Sequence, residues 1–379
     1  GPAAHIGLMQ RELVHRLKWV RDSDYLDFVG AVNLLPGPNS TQLTMLVGYK
    51  LRGFTGMLAT GFGFVIPAAL ITGLLAWLYV RMGSVPAVEG LMLGLKPAVI
   101  ALIAAAILSL GRKALKNRWL TGLGLISLAA MLLGLSEITT ILAAGALALV
   151  LFAIYKQFIK KEGSGRGNAA GMLALPLLSM NPGRAGMTTG IGMAAGATLT
   201  TFSLWKLFWV FAKIGALLFG SGYVLVAYLD GELVEKLGWI SRAQLLDAIA
   251  IGQFTPGPIL SAATFVGYIL AGIPGATVAT LGIFLPSFLF IMLLYPLIPR
   301  MRKNPYTAVF LDSVTVAAVA AMAAVSLSMA IETAGDWRQA LILSAALPAA
   351  LFVKRLSSVW IILGGGLAGF LLHYLSQGL

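Results

Sequence analysis

The sequence predicts an all-α integral membrane protein, a helical bundle of two homologous, inverted-topology repeats with broken or re-entrant helices at a Pro-Gly-Pro tripeptide. Three observations carry this prediction. The 379 residues are 59% hydrophobic and 11% charged, and their mean hydropathy of +0.89 lies outside the range of soluble domains. Uncharged runs at 53–80, 119–136, 138–155, 248–299 and 356–379 reach or approach the roughly 20 apolar residues that a helix needs to cross a bilayer. The tripeptide itself occurs twice, in "NLLPGPNSTQ" and in "GQFTPGPILS".

Helices follow from the long Leu, Ala, Ile, Gly and Val blocks, because barrel strands would show ten-residue dyads with polar lumen positions. The formal charge of +13 sits in short loops between apolar runs. That is the positive-inside signature, so the partner it implies is a lipid bilayer and not nucleic acid. With no cysteine in the chain there is no disulfide framework, thiolate metal site or redox thiol, and neither a metal nor a cofactor is expected. The opening "GPAAHIGLMQ" has neither the basic start nor the apolar core of a signal peptide.

The repeat emerges when "VGYKLRGFTGMLATGFGFVIPA" (47–68) is set over "VGYILAGIPGATVATLGIFLPS" (266–287), an offset of 219. Further back the offset becomes 220, and Asp27 meets Asp247, Trp19 meets Trp239 and Glu12 meets Glu232. The domains are therefore residues 1–160, a polar linker over 161–202, and residues 203–379. The second half has a further apolar helix, "FSLWKLFWVFAKIGALLFGSGYVLVAYL", before Glu232, whereas residue 1 aligns near Ser221. The first copy is thus expected to lack most of its opening helix, through truncation or a misassigned start.

About twelve residues lie on each side of either tripeptide, making arms of ~18 Å at 1.5 Å per residue. One arm cannot cross a core of ~30 Å. Two arms make either a broken spanning helix or a re-entrant hairpin. With the linker in the cytoplasm, the re-entrant reading gives five crossings per half and places 20 Lys and Arg inside against four outside. The spanning reading places 11 inside against 13 outside. Positive-inside favours re-entrance, and an odd number of crossings makes the halves antiparallel, the plan of many secondary transporters. Segments 119–134 and 340–353 are short enough to be half-crossings.

Broken helices survive at membrane depth where their freed backbone groups are buried in protein or line a wet cavity. After Pro36 and Gly37, Pro38 suits a first helical turn, and Asn39, Ser40, Thr41 and Gln42 set polar groups beside unpaired amides. A helix start of this kind favours anions. Two inverted copies would bring two such starts to one site suited to a compact dianion. The second copy, Pro256, Gly257 and Pro258, continues with Ile259 and Leu260, leaving Gln253, Thr255, Ser261 and Thr264 as its polar candidates. The bland alternative is a packing kink with no ligand.

Among charged residues in apolar segments, Lys96 is the strongest functional candidate, lying several residues into its helix with Pro97 freeing a carbonyl nearby. Lys206 and Lys213 have snorkelling to the headgroups as their alternative. Asp312 is read as starting a helix, either capping it or carrying a proton, and Glu12 and Glu232 as interfacial residues with a coupling alternative. His5 is a further coupling or gating candidate, while His15 and His373 look peripheral. An enzyme would need a nucleophile and base constellation. There is no HExxH, GxSxG or Walker A loop, the three histidines are scattered, and "GIGMAAG" (190–196) has the wrong spacing for a dinucleotide fingerprint and falls in the linker. A purely structural or partner-binding membrane protein is the remaining alternative class.

The paired "LLPGPNSTQL" and "FTPGPILSAATFVGY", with "GPAAHIG", "GLKPAV" and "LGIFLPSFL", closely resemble the two halves of the long-chain chromate ion transporter family. The resemblance covers nearly the whole chain. It implies a multi-pass protein of the bacterial inner membrane that exports chromate, energised by the membrane potential or the proton gradient, with sulfate as a competing or exchanged anion. A homodimer is an accompanying expectation. Residue chemistry alone supports a small tetrahedral oxyanion, so a sulfate or other anion permease stays open at this point.

Overall fold

The computed structural model describes residues 2–82, 86–162, 202–219, 222–353 and 358–377, with the side chains of 2–5, 86–88, 158–162, 299, 302 and 377 left aside. Among these residues there is no strand. In chain order the helices are α1 (Pro2–Met9), α2 (Asp22–Val32), α3 (Asn39–Met82), α4 (Pro86–Ala114), α5 (Arg118–Leu132), α6 (Glu137–Glu162) and α7 (Leu204–Leu217). They continue as α8 (Leu225–Leu229), α9 (Arg242–Phe254), α10 (Ala262–Leu294), α11 (Ile298–Lys303), α12 (Pro305–Thr333), α13 (Trp337–Phe352) and α14 (Ser358–Gln377). The chain forms two units, residues 1–149 with 202–379, and residues 150–201. Of the second unit only the continuation of α6 is described, and the linker candidate "GIGMAAG" lies outside the described residues.

Helix starts follow local chemistry. The Asn117 side chain accepts from the Leu120 amide at 2.8 Å, Asn304 caps α12 with Pro305 at its first position, and Ser241 and Gln244 form a reciprocal capping box on α9. Six helices are long and apolar enough to cross a membrane, within Asn39–Met82, Glu89–Ala114, Glu137–Gln157, Ile259–Leu297, Pro305–Thr333 and Ser358–Ser376. The chain is a multi-pass membrane protein. The 15-residue α5 and 16-residue α13 extend only about 22–24 Å, short of a full crossing.

The repeat persists in fine backbone detail. A π-helix at Gln10–Arg16 has its counterpart at Asp230–Lys236. Gly37 and Gly257, at the centres of the tripeptides, have φ of +125° and +139°. Arg52–Gly53 interrupts α3 with nearly the dihedral angles of Ala271–Gly272 in α10, and both glycines sit at φ 59°. Lys18 is at φ 52°, where its counterpart Gly238 is at 59°.

The interruptions reverse the chain. Before the first, Gly48 lies against the Gly56 carbonyl and the Thr60 hydroxyl; before the second, Gly267 lies against the Gly275 carbonyl and Ala279. No side chain fits between backbones that close, so the glycines shared by 47–68 and 266–287 belong to a helical turn. Each long helix is therefore a short limb packed back on a long one. The tripeptides make a second reversal. Gly252 on α9 faces Ala262, and Tyr79 touches both Asp247 on α9 and Phe265 on the short limb of α10, so the two arms lie side by side.

The long helices of the two halves run antiparallel. Tyr49, on the short limb of α3 just before its reversal, meets Tyr295 beyond the far end of α10 with ring centroids 4.6 Å apart; Phe62 meets Phe288 between the two long limbs at 5.2 Å; Tyr79, at the far end of α3, meets Phe265 on the short limb of α10 before its reversal at 5.1 Å. Beside them, Gly94 on α4 packs against the backbones of Gly365 and Gly369 on α14. Small residues let these two helices approach closely, and α4 thereby reaches α9.

Three expectations need correction. The opening helix of the second half is not continuous: α7 stops at Leu217, and a 3₁₀ turn at Gly222–Val224 begins a separate segment. The Tyr228 hydroxyl donates to the Leu217 carbonyl at 2.6 Å and so satisfies the broken end. Asp312 does not start a helix, because Asn304 and Pro305 already begin α12 eight residues earlier. His373 is not peripheral, since it is buried against Gly90, whose missing side chain makes room for it.

Candidate functional site

Each tripeptide tip rests on the other half of the molecule; Gly37, Pro38 and Pro258 are buried, whereas Pro36 and Gly257 are partly buried and Pro256 is exposed. Gly37 lies against Ser287 of α10, whose hydroxyl is 2.6 Å from where a Cβ would stand, and Gly257 lies likewise 2.6 Å from the Ala68 Cβ of α3. Ala68 and Ser287 are equivalent positions of the repeat, each following a proline inside its helix. Only glycine fits, since both positive φ and lack of space exclude a side chain.

At the first tip, the Gly37 amide donates to the Leu218 carbonyl at 2.6 Å, joining the tripeptide to the broken end of α7. Gln42 Nε2 donates to the Pro36 carbonyl at 2.5 Å, and Asn39 Nδ2 to Asn33 Oδ1 at 3.0 Å. The first α-helical bond of α3 runs from the Gln42 amide to the Pro38 carbonyl at 3.0 Å. The amides of Asn39, Ser40 and Thr41 therefore have no acceptor within the helix. Thr41 Oγ1, Gln42 Oε1 and Ser287 Oγ are buried with no hydrogen-bond partner among the described residues. Each such group costs about 1–3 kcal/mol. A ligand accepting from such a hydroxyl would recover much of that cost.

The second tip is more self-contained. Thr255 Oγ1 donates to the Ile251 carbonyl and accepts from Thr72 Oγ1, both at 3.0 Å, and the Thr264 and Thr280 hydroxyls bond at 2.7 Å. After Pro256, Gly257 and Pro258, a 3₁₀ turn over Ile259–Ser261 precedes α10. Ser261 Oγ and Gln253 Nε2 are both buried and unpartnered, with Gln253 beside the Tyr223 phenol. Unpartnered hydroxyls thus number two at the first tip, where Ser287 joins from the other half, and one at the second, where Gln253 adds an amide donor.

Lys96 is half-buried on α4, ten residues inside the helix, where Pro97 leaves the Leu93 carbonyl without its usual donor. Its Nζ is 3.7 Å from Asp247 Oδ1, while Asp247 Oδ2 accepts from the Tyr79 hydroxyl at 2.8 Å. The Asp247 side chain is 4% exposed and that of Lys96 20%, and Oδ1 has no hydrogen-bond partner. Asp247 lies eight residues before Thr255 on α9, about 12 Å along the helix. The first half's lysine is therefore tied to the second half's hairpin, away from the first tip.

The remaining coupling candidates are engaged elsewhere. Lys213 pairs with Glu232 at 2.5 Å, Glu12 with Arg16 at 2.8 Å and Asp312 with Lys116 at 2.6 Å. Lys206 lies 5.6 Å from the Trp239 ring centre. Asp230, absent from the sequence candidates, is fully buried and grips Arg242 through two bonds of 3.1 and 3.2 Å, which pushes the guanidinium above its ordinary pKa. The His5 side chain lies outside the described residues. An open groove of about 870 Å³ between the long limbs of α3 and α10 is lined by Val65, Phe284, Phe288 and other apolar groups. It carries no charge to hold an anion. Among the described residues no cluster of His, Asp or Glu has a metal-binding arrangement.

Two matched halves meeting through broken helices, with apolar spans around them, define a duplicated multi-pass membrane protein. The chain belongs to the chromate transporter family, whose model matches residues 1–154 and 205–370. It is 33% identical to the chromate transport protein of Cupriavidus metallidurans over 380 residues, covering 99% of this chain and 90% of that protein. A probable chromate transport protein of Synechococcus elongatus is 34% identical over 325 residues, covering 85% and 78%. The chromate transport protein of Pseudomonas aeruginosa is 28% identical over 381 residues, covering 98% and 88%. No solved structure matches the chain.

Proposed function

We propose that the protein is a secondary active transporter that exports chromate across the bacterial inner membrane, driven by the proton gradient or the membrane potential. Relatives named for chromate transport support the substrate. The observation that carries the mechanism is the reciprocal seating of the two tripeptide tips, with unpartnered Thr41 and Ser287 hydroxyls at the first. A tetrahedral dianion there would accept from both hydroxyls and from the free amides of a helix start, where the dipole adds favourable potential. Lys96 supplies a positive station further along the path. The antiparallel contacts of α3 and α10 support inverted repeats, and rocking of one half against the other would expose the tips to alternate sides. The tripeptides would then be re-entrant, entering and leaving from one face.

The test is accumulation of radiolabelled chromate by everted membrane vesicles under an imposed proton gradient, with sulfate as competitor. Wild type should accumulate chromate, and Thr41→Val and Ser287→Ala should slow it at least tenfold. Accumulation of sulfate without chromate would replace this reading with a sulfate permease. Full activity in both variants would move the site elsewhere.

A further inference from the structure

The pair formed by Lys96 and Asp247 is odd for a structural salt bridge. At 3.7 Å it is loose, and Asp247 Oδ1 receives no hydrogen bond although Asp247 is nearly sealed. A buried pair kept for stability needs close geometry and satisfied lone pairs. The lysine, five times as exposed as its partner on the figures of 20% and 4%, is the more accessible member of the pair. Tyr79 holds the other carboxylate oxygen and would keep Asp247 in place when Lys96 turns away.

We propose that Asp247 is a built-in competing anion, holding Lys96 when no substrate is bound and taking up one proton when an oxyanion replaces it. This rests on the oxyanion transport reading above in its membrane-potential form, because a proton carried outward with the anion opposes a proton gradient, and it adds a residue and a charge balance to that reading. In the empty state, the ammonium and the carboxylate cancel. A dianion arriving at Lys96 beside an ionised Asp247 would leave two uncompensated negative charges in a low-dielectric site. A proton passing from solvent to the Asp247 carboxylate reduces that to one. The proton adds to a carboxylate oxygen, and no covalent bond breaks in the protein or the anion.

Lys96 from α4 and Tyr79 from α3 are the charged and titratable groups acting on Asp247. The titratable side chains on its other neighbouring elements have their own engagements or positions. Tyr228 of α8 donates to Leu217, Asp230 and Glu232 of the π-helix pair with Arg242 and Lys213, Tyr268 lies on α10, and His373 of α14 lies against Gly90.

The experiment measures chromate binding to purified protein by equilibrium dialysis in alkaline buffer, where chromate is fully dianionic. Proton uptake on mixing is followed with an indicator dye in weak buffer. Wild type should take up one proton per chromate bound and lose about tenfold in affinity per pH unit. Asp247→Asn should bind chromate about tenfold tighter or more, take up no proton and lose that pH dependence. Tyr79→Phe removes a donor from the ionised carboxylate, so it should bind more tightly at a given pH and keep the proton count. Wild-type proton uptake in a folded Asp247→Asn protein overturns the proposal, as does unchanged or weaker binding by Tyr79→Phe. Absence of chromate binding by wild type overturns the transport reading itself, a result distinguishable from either.

Discussion

Replacing Gly257 by alanine tests the reciprocal seating of the hairpins most directly. At φ +139° an L-residue is strained, at a cost of about 1–3 kcal/mol. The new Cβ would stand 2.6 Å from the Ala68 Cβ. Ala68 has no side-chain torsion with which to retreat, so backbone must move, adding about 1–3 kcal/mol. The expected total is about 2–6 kcal/mol. Ala68→Gly should remove the steric part in the double variant and leave the backbone strain. The assay is thermal unfolding of the four proteins of this cycle in detergent, with coupling between the sites read from the midpoints. A lone Gly257→Ala protein as stable as wild type would refute the seating. So would a double variant with no recovery, because the clash would then lie elsewhere.

Lys18→Gly should stabilise the protein by about 1 kcal/mol, because Lys18 occupies the left-handed conformation that Gly238 adopts in the other half; a raised unfolding midpoint checks this. Thr41→Val should leave the midpoint unchanged or raised, since its hydroxyl bonds to nothing among the described residues, while transport falls. A merely structural threonine would show the opposite order. Thr72→Val removes the donor to Thr255 and should cost about 0.5–1.5 kcal/mol in the same melt. The Asp336 carboxyl is held below its ordinary pKa by Arg338, which also donates to Ser376 of α14 at 3.0 Å. Its contribution is therefore complete above the unfolded value of about 4 and is lost as pH falls through the lower folded value. Asp336→Asn should make the unfolding midpoint less sensitive to pH in that acid range.

Much of this architecture is legible in the residues because its causes are local. A run of apolar residues with no charge must become a helix in a bilayer, and proline and glycine interrupt a helix wherever they fall. Gly48, Gly53 and Gly56 recur as Gly267, Gly272 and Gly275, and a helical turn with touching backbones is the physical reason for the coincidence. The break after Leu217 escaped such reading because "GALLFGSGY" has glycines common in membrane helices and no proline to mark the stop. Asp312 was misplaced for a similar reason. The capping Asn304 and Pro305 are a stronger start signal than an acid eight residues later.

The candidate site divides along the same line. Composition and repetition determined by themselves that the chain is membrane-embedded, duplicated and broken at two tripeptides, with polar residues after the first. Which groups meet was decided by tertiary structure. Ser287 reads as one small residue in an apolar helix until antiparallel packing sets it against Gly37. Lys96 reads as a lone buried cation until α4, drawn in by the glycines it shares with α14, brings it to Asp247. A helix's existence depends on its own residues, whereas an ion pair between helices depends on how far every intervening side chain lets their axes approach.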